Sequence, residues 1–208
     1  MKINTSQAVK QTVVYTIGNN LYINVTDHCT LRCAFCPKFN GSLAVKGHDL
    51  LLHHLPTSAE IIDAIGNNPQ AYQQVVFCGY GEPTLRLAVV LEVAQYVKEH
   101  GGQTRLNTDG LANLVHKRNV LADMHGLIDA VSVSMNAATP EIYNLHCRPQ
   151  LPGSFEAMIS FLTRAPYFIN DVTATAINGL EGVNIDDCRN ITHWLGVKFR
   201  VRNLDELG

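Results

Sequence analysis

Residues 21–37 read LYINVTDHCTLRCAFCP, and the junction between their two halves decides the fold. The first half, 21–26 (LYINVT), sets large apolar residues at alternate positions and reads as a buried strand. A loop holding Cys29, Cys33 and Cys36 follows it at once. Working outward, the same strand-then-polar-turn order recurs at 75–80 (VVFCGY), 104–107 (TRLN), 130–136 (AVSVSMN), 171–177 (DVTATAI) and 197–202 (VKFRVR). Helix-like runs separate these strands. One begins after Thr57, with Glu60 at the capping-box position, and stops at the Gly and Pro of 66–69. Others cover about 86–100, 111–124, 154–165 and 186–195. Alternating strand and helix predict an α/β protein with a parallel sheet. A βα unit takes roughly 30 residues, so 208 residues hold six such units, whereas a closed eight-unit barrel takes about 250. The expectation is an open partial (β/α)6 barrel with helices outside, a single domain over 1–208 with its core at about 21–202. Chemistry in such folds sits beyond the carboxyl ends of the strands, where the cysteine-rich and polar segments fall.

Composition agrees with a globular chain: 46% of residues are hydrophobic and 16% charged. The balance of 16 Lys+Arg against 18 Asp+Glu argues against a broad nucleic-acid or anionic-membrane surface. Lys198, Arg200 and Arg202 form a basic stretch whose alternation puts them on one strand face, and a solvated edge accounts for it. The first residues lack the apolar run of a signal peptide, and no run of roughly 18 apolar residues suggests a membrane span. A cytoplasmic protein is expected, in which six cysteines are thiols or metal ligands rather than disulfides.

The loop spacing is C-x3-C-x2-C. Thiolates so crowded bind a soft metal or repel one another. Structural zinc takes four ligands, usually as two pairs; only one C-x2-C pair is present, and His28, a possible fourth ligand, is adjacent to Cys29. A cubane held by three cysteines leaves one iron open to a small molecule, whereas a purely structural cluster has four. Zinc and reduced structural thiols remain the alternatives.

With Phe35 before Cys36, the loop resembles the signature of the radical S-adenosylmethionine (SAM) superfamily. The resemblance implies a [4Fe–4S] cluster on Cys29, Cys33 and Cys36, with SAM chelating the open iron. It implies reductive cleavage of SAM to methionine and a 5′-deoxyadenosyl radical, with electrons from an external flavodoxin- or ferredoxin-like donor. Gly79-Tyr80-Gly81-Glu82-Pro83 resembles the family's GGEP segment, which holds the SAM amino group; Tyr80 stands where glycine is usual. A glycine turn leading into a helix explains the same residues. Asn107-Thr108-Asp109-Gly110 resembles an N-T-N-G turn, with Asp109 for the second Asn, and Asx-turn chemistry explains it equally. Ser134, Asn136 and Ile177, at the ends of the fourth and fifth strands, are implied contacts to SAM; a strand with one polar face explains the first two equally, and ordinary core packing explains Ile177 better. Arg148, after a short helical stretch, is a candidate for gripping a substrate carboxylate or phosphate. Cys78 and Cys188 read as buried small hydrophobes.

Over residues 21–202 the chain resembles the TatD-nuclease-associated radical SAM proteins, which implies a TatD-like hydrolase partner. A radical enzyme acting on a small molecule or polypeptide is the expected function. A metal- or cluster-stabilised binding module without radical chemistry, acting with such a partner, is the alternative.

Overall fold

The computed structural model describes residues 11–39, 41 and 44–204. Its elements are β1 (Val14–Ile17), β2 (Asn20–Asn24), β3 (Ala44–Val45), β4 (His48–Asp49), α1 (Ser58–Ile65), β5 (Val75–Cys78), α2 (Leu87–Glu99), β6 (Thr104–Thr108), α3 (Ala112–His116), α4 (Leu121–Met124), β7 (Ala130–Ser134), α5 (Pro140–Cys147), α6 (Ser154–Arg164), β8 (Asp171–Asn178), α7 (Ile185–Trp194) and β9 (Lys198–Asn203). One sheet runs in the order β1-β2-β5-β6-β7-β8-β9, and β3 pairs with β4 in a second. From β2 to β9 in that order, adjacent strands pair parallel. The outer strands β1 and β9 do not pair with each other, so the barrel is open.

The helices cover the sheet because their apolar residues recur at helical spacing. In α2, Val90, Val93, Ala94 and Val97 are wholly buried and follow the i, i+3, i+4, i+7 pattern of a single stripe. They share a core with Val75 and Phe77 of β5 and Leu106 of β6. Each such side chain contributes roughly 1.5–3 kcal/mol on full burial. The α1 capping box is formed as the sequence suggests: the Thr57 side chain accepts from Glu60 N, and Glu60 accepts from Thr57 N.

Along β6 burial alternates: Leu106 is wholly buried, while Arg105 and Asn107 are half-buried on the opposite, concave face. That face carries the polar residues, and the site grows from it.

Two details differ from the sequence reading. Strand β1 pairs antiparallel with β2 through the turn Gly18-Asn19, closing on Ile17↔Asn20. Gly18 takes φ of +57°, which glycine adopts without steric cost. The run expected as a single helix over 111–124 is two short ones. Lys117 adopts a left-handed φ of +52° between them, and the Asn113 and Asn119 side chains accept from Val120 N and Leu121 N to start the second.

Candidate functional site

The three cysteines line one cleft at the carboxyl end of the sheet, a cavity of about 310 Å3. Their loop is held by backbone bonds rather than by its own side chains. Arg32 N donates to Cys147 O at 3.1 Å and Ala34 N to His146 O at 2.8 Å, tying the loop to the end of α5. Cys36 N donates to Cys33 O at 3.1 Å, folding the C-x2-C segment into a turn. Burial pushes the Cys29 thiol up to about 12. Cys33 is raised further, first by a hydrogen bond with Cys147 and then by burial. Burial contributes to both shifts, and a cationic metal centre reverses them on binding.

The segment 79–83 packs directly on this loop. Gly81 N donates to Thr26 O at 2.9 Å and Glu82 N to His28 O at 2.7 Å, continuing the β2–β5 pairing past the strand ends. A Cβ on Gly81 would lie 2.2 Å from His28 O and 2.7 Å from Thr26 O. Gly79 has φ of +126°, and its Cβ would lie 2.8 Å from Asn24 Oδ1. Glycine is therefore required on both sides of Tyr80, which lines the cleft.

Glu82 is buried, capping the 3-10 turn Pro83–Arg86 through Thr84 N at 3.0 Å. It also accepts from Thr84 Oγ1 at 2.7 Å, Thr108 Oγ1 at 2.8 Å and Asp109 N at 2.6 Å. Asp109, equally buried, accepts from Leu111 N at 2.9 Å and from Thr30 Oγ1 of the cysteine loop at 3.1 Å. Desolvation, and next the charge of Glu82, raise the Asp109 carboxyl well above the ordinary carboxylate range. The folded chain thus holds that proton more tightly than the unfolded one. Stability of the metal-free protein is expected to fall as pH rises from about 4, the unfolded carboxylate value, through the raised folded value. Asp109→Asn removes the titration and flattens that slope; thermal melts across pH check it, and an unchanged slope would refute the assignment.

The remaining wall comes from β6 to β9. Asn107, Ser134, Asn136 and Ile177 all line the cleft. Asn136 sits at φ +60°, a conformation that Asn tolerates better than most residues. It joins Cys147 to the arginines, with Nδ2 donating to Cys147 Sγ at 3.6 Å and Oδ1 accepting from Arg202 Nη2 at 3.4 Å. Arg148 does not belong here. It is the exposed left-handed cap of α5 and does not line the cleft. The cleft is lined instead by Arg105, Arg200 and Arg202. Cys78 is also a correction: it is half-buried, faces the cleft and accepts from Asn107 Nδ2 at 3.7 Å. Cys188 is wholly buried, as read.

A family model described as the radical SAM superfamily matches residues 23–195. The chain belongs to the radical SAM superfamily. It is 27% identical over 186 residues to the GTP 3′,8-cyclase of Streptomyces coelicolor, covering 86% of this chain and 50% of that protein. The GTP 3′,8-cyclase of Limosilactobacillus fermentum is 32% identical over 123 residues, 58% of this chain and 34% of that one. The chain therefore spans half or less of the length of these relatives. Among solved structures, Streptococcus suis SuiB bound to S-adenosylmethionine superposes with a TM-score of 0.65 at 14% identity, covering 91% of this chain and 40% of that one. Methylornithine synthase (PylB) superposes with a TM-score of 0.58 at 16% identity, covering 89% and 53%. At these identities the likeness is one of fold.

The radical SAM cofactors are a [4Fe–4S] cluster and SAM, and the donor set here fits them. Three thiols face one cleft, the number that leaves one iron of a cubane open to SAM. A cubane spreads its thiolates over three irons, whereas zinc draws its ligands to one point. The buried Glu82–Asp109 pair sits beside the cysteine loop, where an ammonium would find acceptors. Among the described residues, no helix is long and apolar enough to cross a membrane.

Proposed function

We propose that this chain is a radical enzyme that uses SAM to abstract hydrogen from a small molecule or polypeptide. The observation that carries the reading is the convergence of Cys29, Cys33 and Cys36 with Glu82 and Asp109 in one cleft. The chemistry supplied when cluster and SAM are bound is one-electron cleavage of the S–C5′ bond, giving methionine and a 5′-deoxyadenosyl radical. The protein's part is to hold and enclose. Cys29, Cys33 and Cys36 ligate three irons. Glu82 and the backbone of 79–81 accept from the SAM amino group. Ser134, Asn136 and Ile177 border the nucleoside, and Phe35, half-buried beside Cys36, shields the centre from water. Electrons come from an external flavodoxin- or ferredoxin-like donor, in the cytoplasm.

The name of the relatives puts a purine nucleotide among the first substrates to test. A TatD-like hydrolase is the proposed partner, and a pull-down that recovers no such protein removes it.

The test is anaerobic reconstitution with iron and sulfide, then dithionite, SAM and chromatography. Formation of 5′-deoxyadenosine by the loaded protein is the expected result. A full cluster without that product would favour a binding module, and a chain that takes up zinc but no iron would sink the reading.

A further inference from the structure

Three guanidinium groups enter the cleft from two strands, Arg105 from β6 and Arg200 and Arg202 from β9. Each meets a neutral partner. Arg105 Nη2 donates to Tyr22 Oη at 3.2 Å, Arg200 Nη2 to Ser132 Oγ at 3.4 Å, and Arg202 Nη2 to Asn136 Oδ1 at 3.4 Å. None forms an ion pair with a carboxylate among the described residues. The Nε atoms of Arg105 and Arg202 are buried and have no hydrogen-bond partner among the described residues. By contrast Lys198, on the same face of β9, is neutralised by Asp171 at 2.9 Å.

A buried guanidinium donor left unpaired is costly, and like charges gathered in one cavity add repulsion. Burial and the charge of Arg200 together pull Arg202 below the usual arginine range. Both costs are relieved by an oxyanion, whose lone pairs match the planar fork of arginine. The cleft is consequently two-sided. The carboxyl pair Glu82 and Asp109 lies against the cysteine loop, and the arginines occupy the wall made by β6 and β9.

We propose that Arg105, Arg200 and Arg202 form an oxyanion subsite, and that the substrate of this cleft carries a phosphate or carboxylate group. The subsite stands on these residues alone; only the identification of its ligand as substrate rests on the radical reading. Such a ligand enters with its anionic end towards β9, which leaves its other end directed at the acidic wall and the cysteine loop.

Titration calorimetry on the cluster- and SAM-loaded protein tests this, against chloride of equal ionic strength. Inorganic phosphate is the probe in one arm and malonate in the other. One of the two is expected to bind, and the arm that binds names the group. Arg105→Gln/Arg200→Gln should weaken that binding about 10- to 100-fold, the range for losing charge-assisted hydrogen bonds. Arg148→Gln, altered outside the cleft, should match the parent. Arg105 is half-buried, so Arg200→Gln alone, on an exposed position of the edge strand, carries the test if the double variant fails to fold. Binding of neither probe, or equal binding by the variants, overturns the proposal. So does a loss confined to SAM affinity, which would assign the arginines to the cofactor's own carboxylate. A protein that binds the anion yet forms no 5′-deoxyadenosine upholds the subsite and removes the radical reading, so the two failures are separable.

Discussion

Replacing Cys33 by alanine is expected to give a folded protein that retains almost no iron and forms no 5′-deoxyadenosine. The fold survives because the loop is anchored by its backbone: Arg32 N and Ala34 N bond to the end of α5 whatever side chain stands between them. The cluster does not survive, because a cubane with three protein ligands leaves none to spare. Iron analysis should fall from about four atoms per chain to a trace, with the circular dichroism spectrum unchanged. Cys188→Ala, altering a wholly buried thiol on α7, is the control and should keep its iron. Full cleavage activity in Cys33→Ala would show that the ligands are misassigned.

Gly81→Ala should be as damaging by a different route. A Cβ at 2.2 Å from His28 O and 2.7 Å from both His28 N and Thr26 O meets backbone on every side. No rotamer change relieves such contacts, so the segment 79–83 must separate from the cysteine loop. Overpacking of this kind costs about 3 kcal/mol. It also breaks the bonds from Gly81 N to Thr26 O and Glu82 N to His28 O, which align the carboxyl pair with the cysteines. The expected outcome is a melting temperature several degrees lower and loss of cluster uptake together. Normal iron content in Gly81→Ala would show that the two loops are not held in the contact described.

Much of this molecule was legible before any coordinates. The six parallel strands, the α1 capping box and the order of helices follow from local periodicity and caps, which depend on residues a few positions apart. The edge strand β1 had a signal as well, a Gly18-Asn19 pair between two alternating runs. The break in 111–124 did not, because a left-handed Lys117 has no compositional mark. Arg200 and Arg202 show why the site was only half readable. Their alternation with Phe199 and Val201 is the same on a solvated edge and on the inner face of a barrel. Which one it is depends on how the sheet curves. Cys78 was misplaced for a related reason: an apolar strand with both faces covered and one with a face on a cleft read alike.

The sequence by itself determined the spacing of three thiols on one short loop, their place after the first parallel strand, and the α/β alternation that sends polar turns to one end of the sheet. These are short-range properties of the chain. Only the tertiary structure decided that Asp109 N meets Glu82 across 27 residues and Asp109 meets Thr30 across 79. It likewise decided that Cys147 stands behind Cys33, and that β6 and β9 bring three guanidinium groups to one cavity with no carboxylate ion pair among the described residues. Parallel crossovers and sheet curvature bring these groups together, and no local pattern encodes which distant side chains will share a wall.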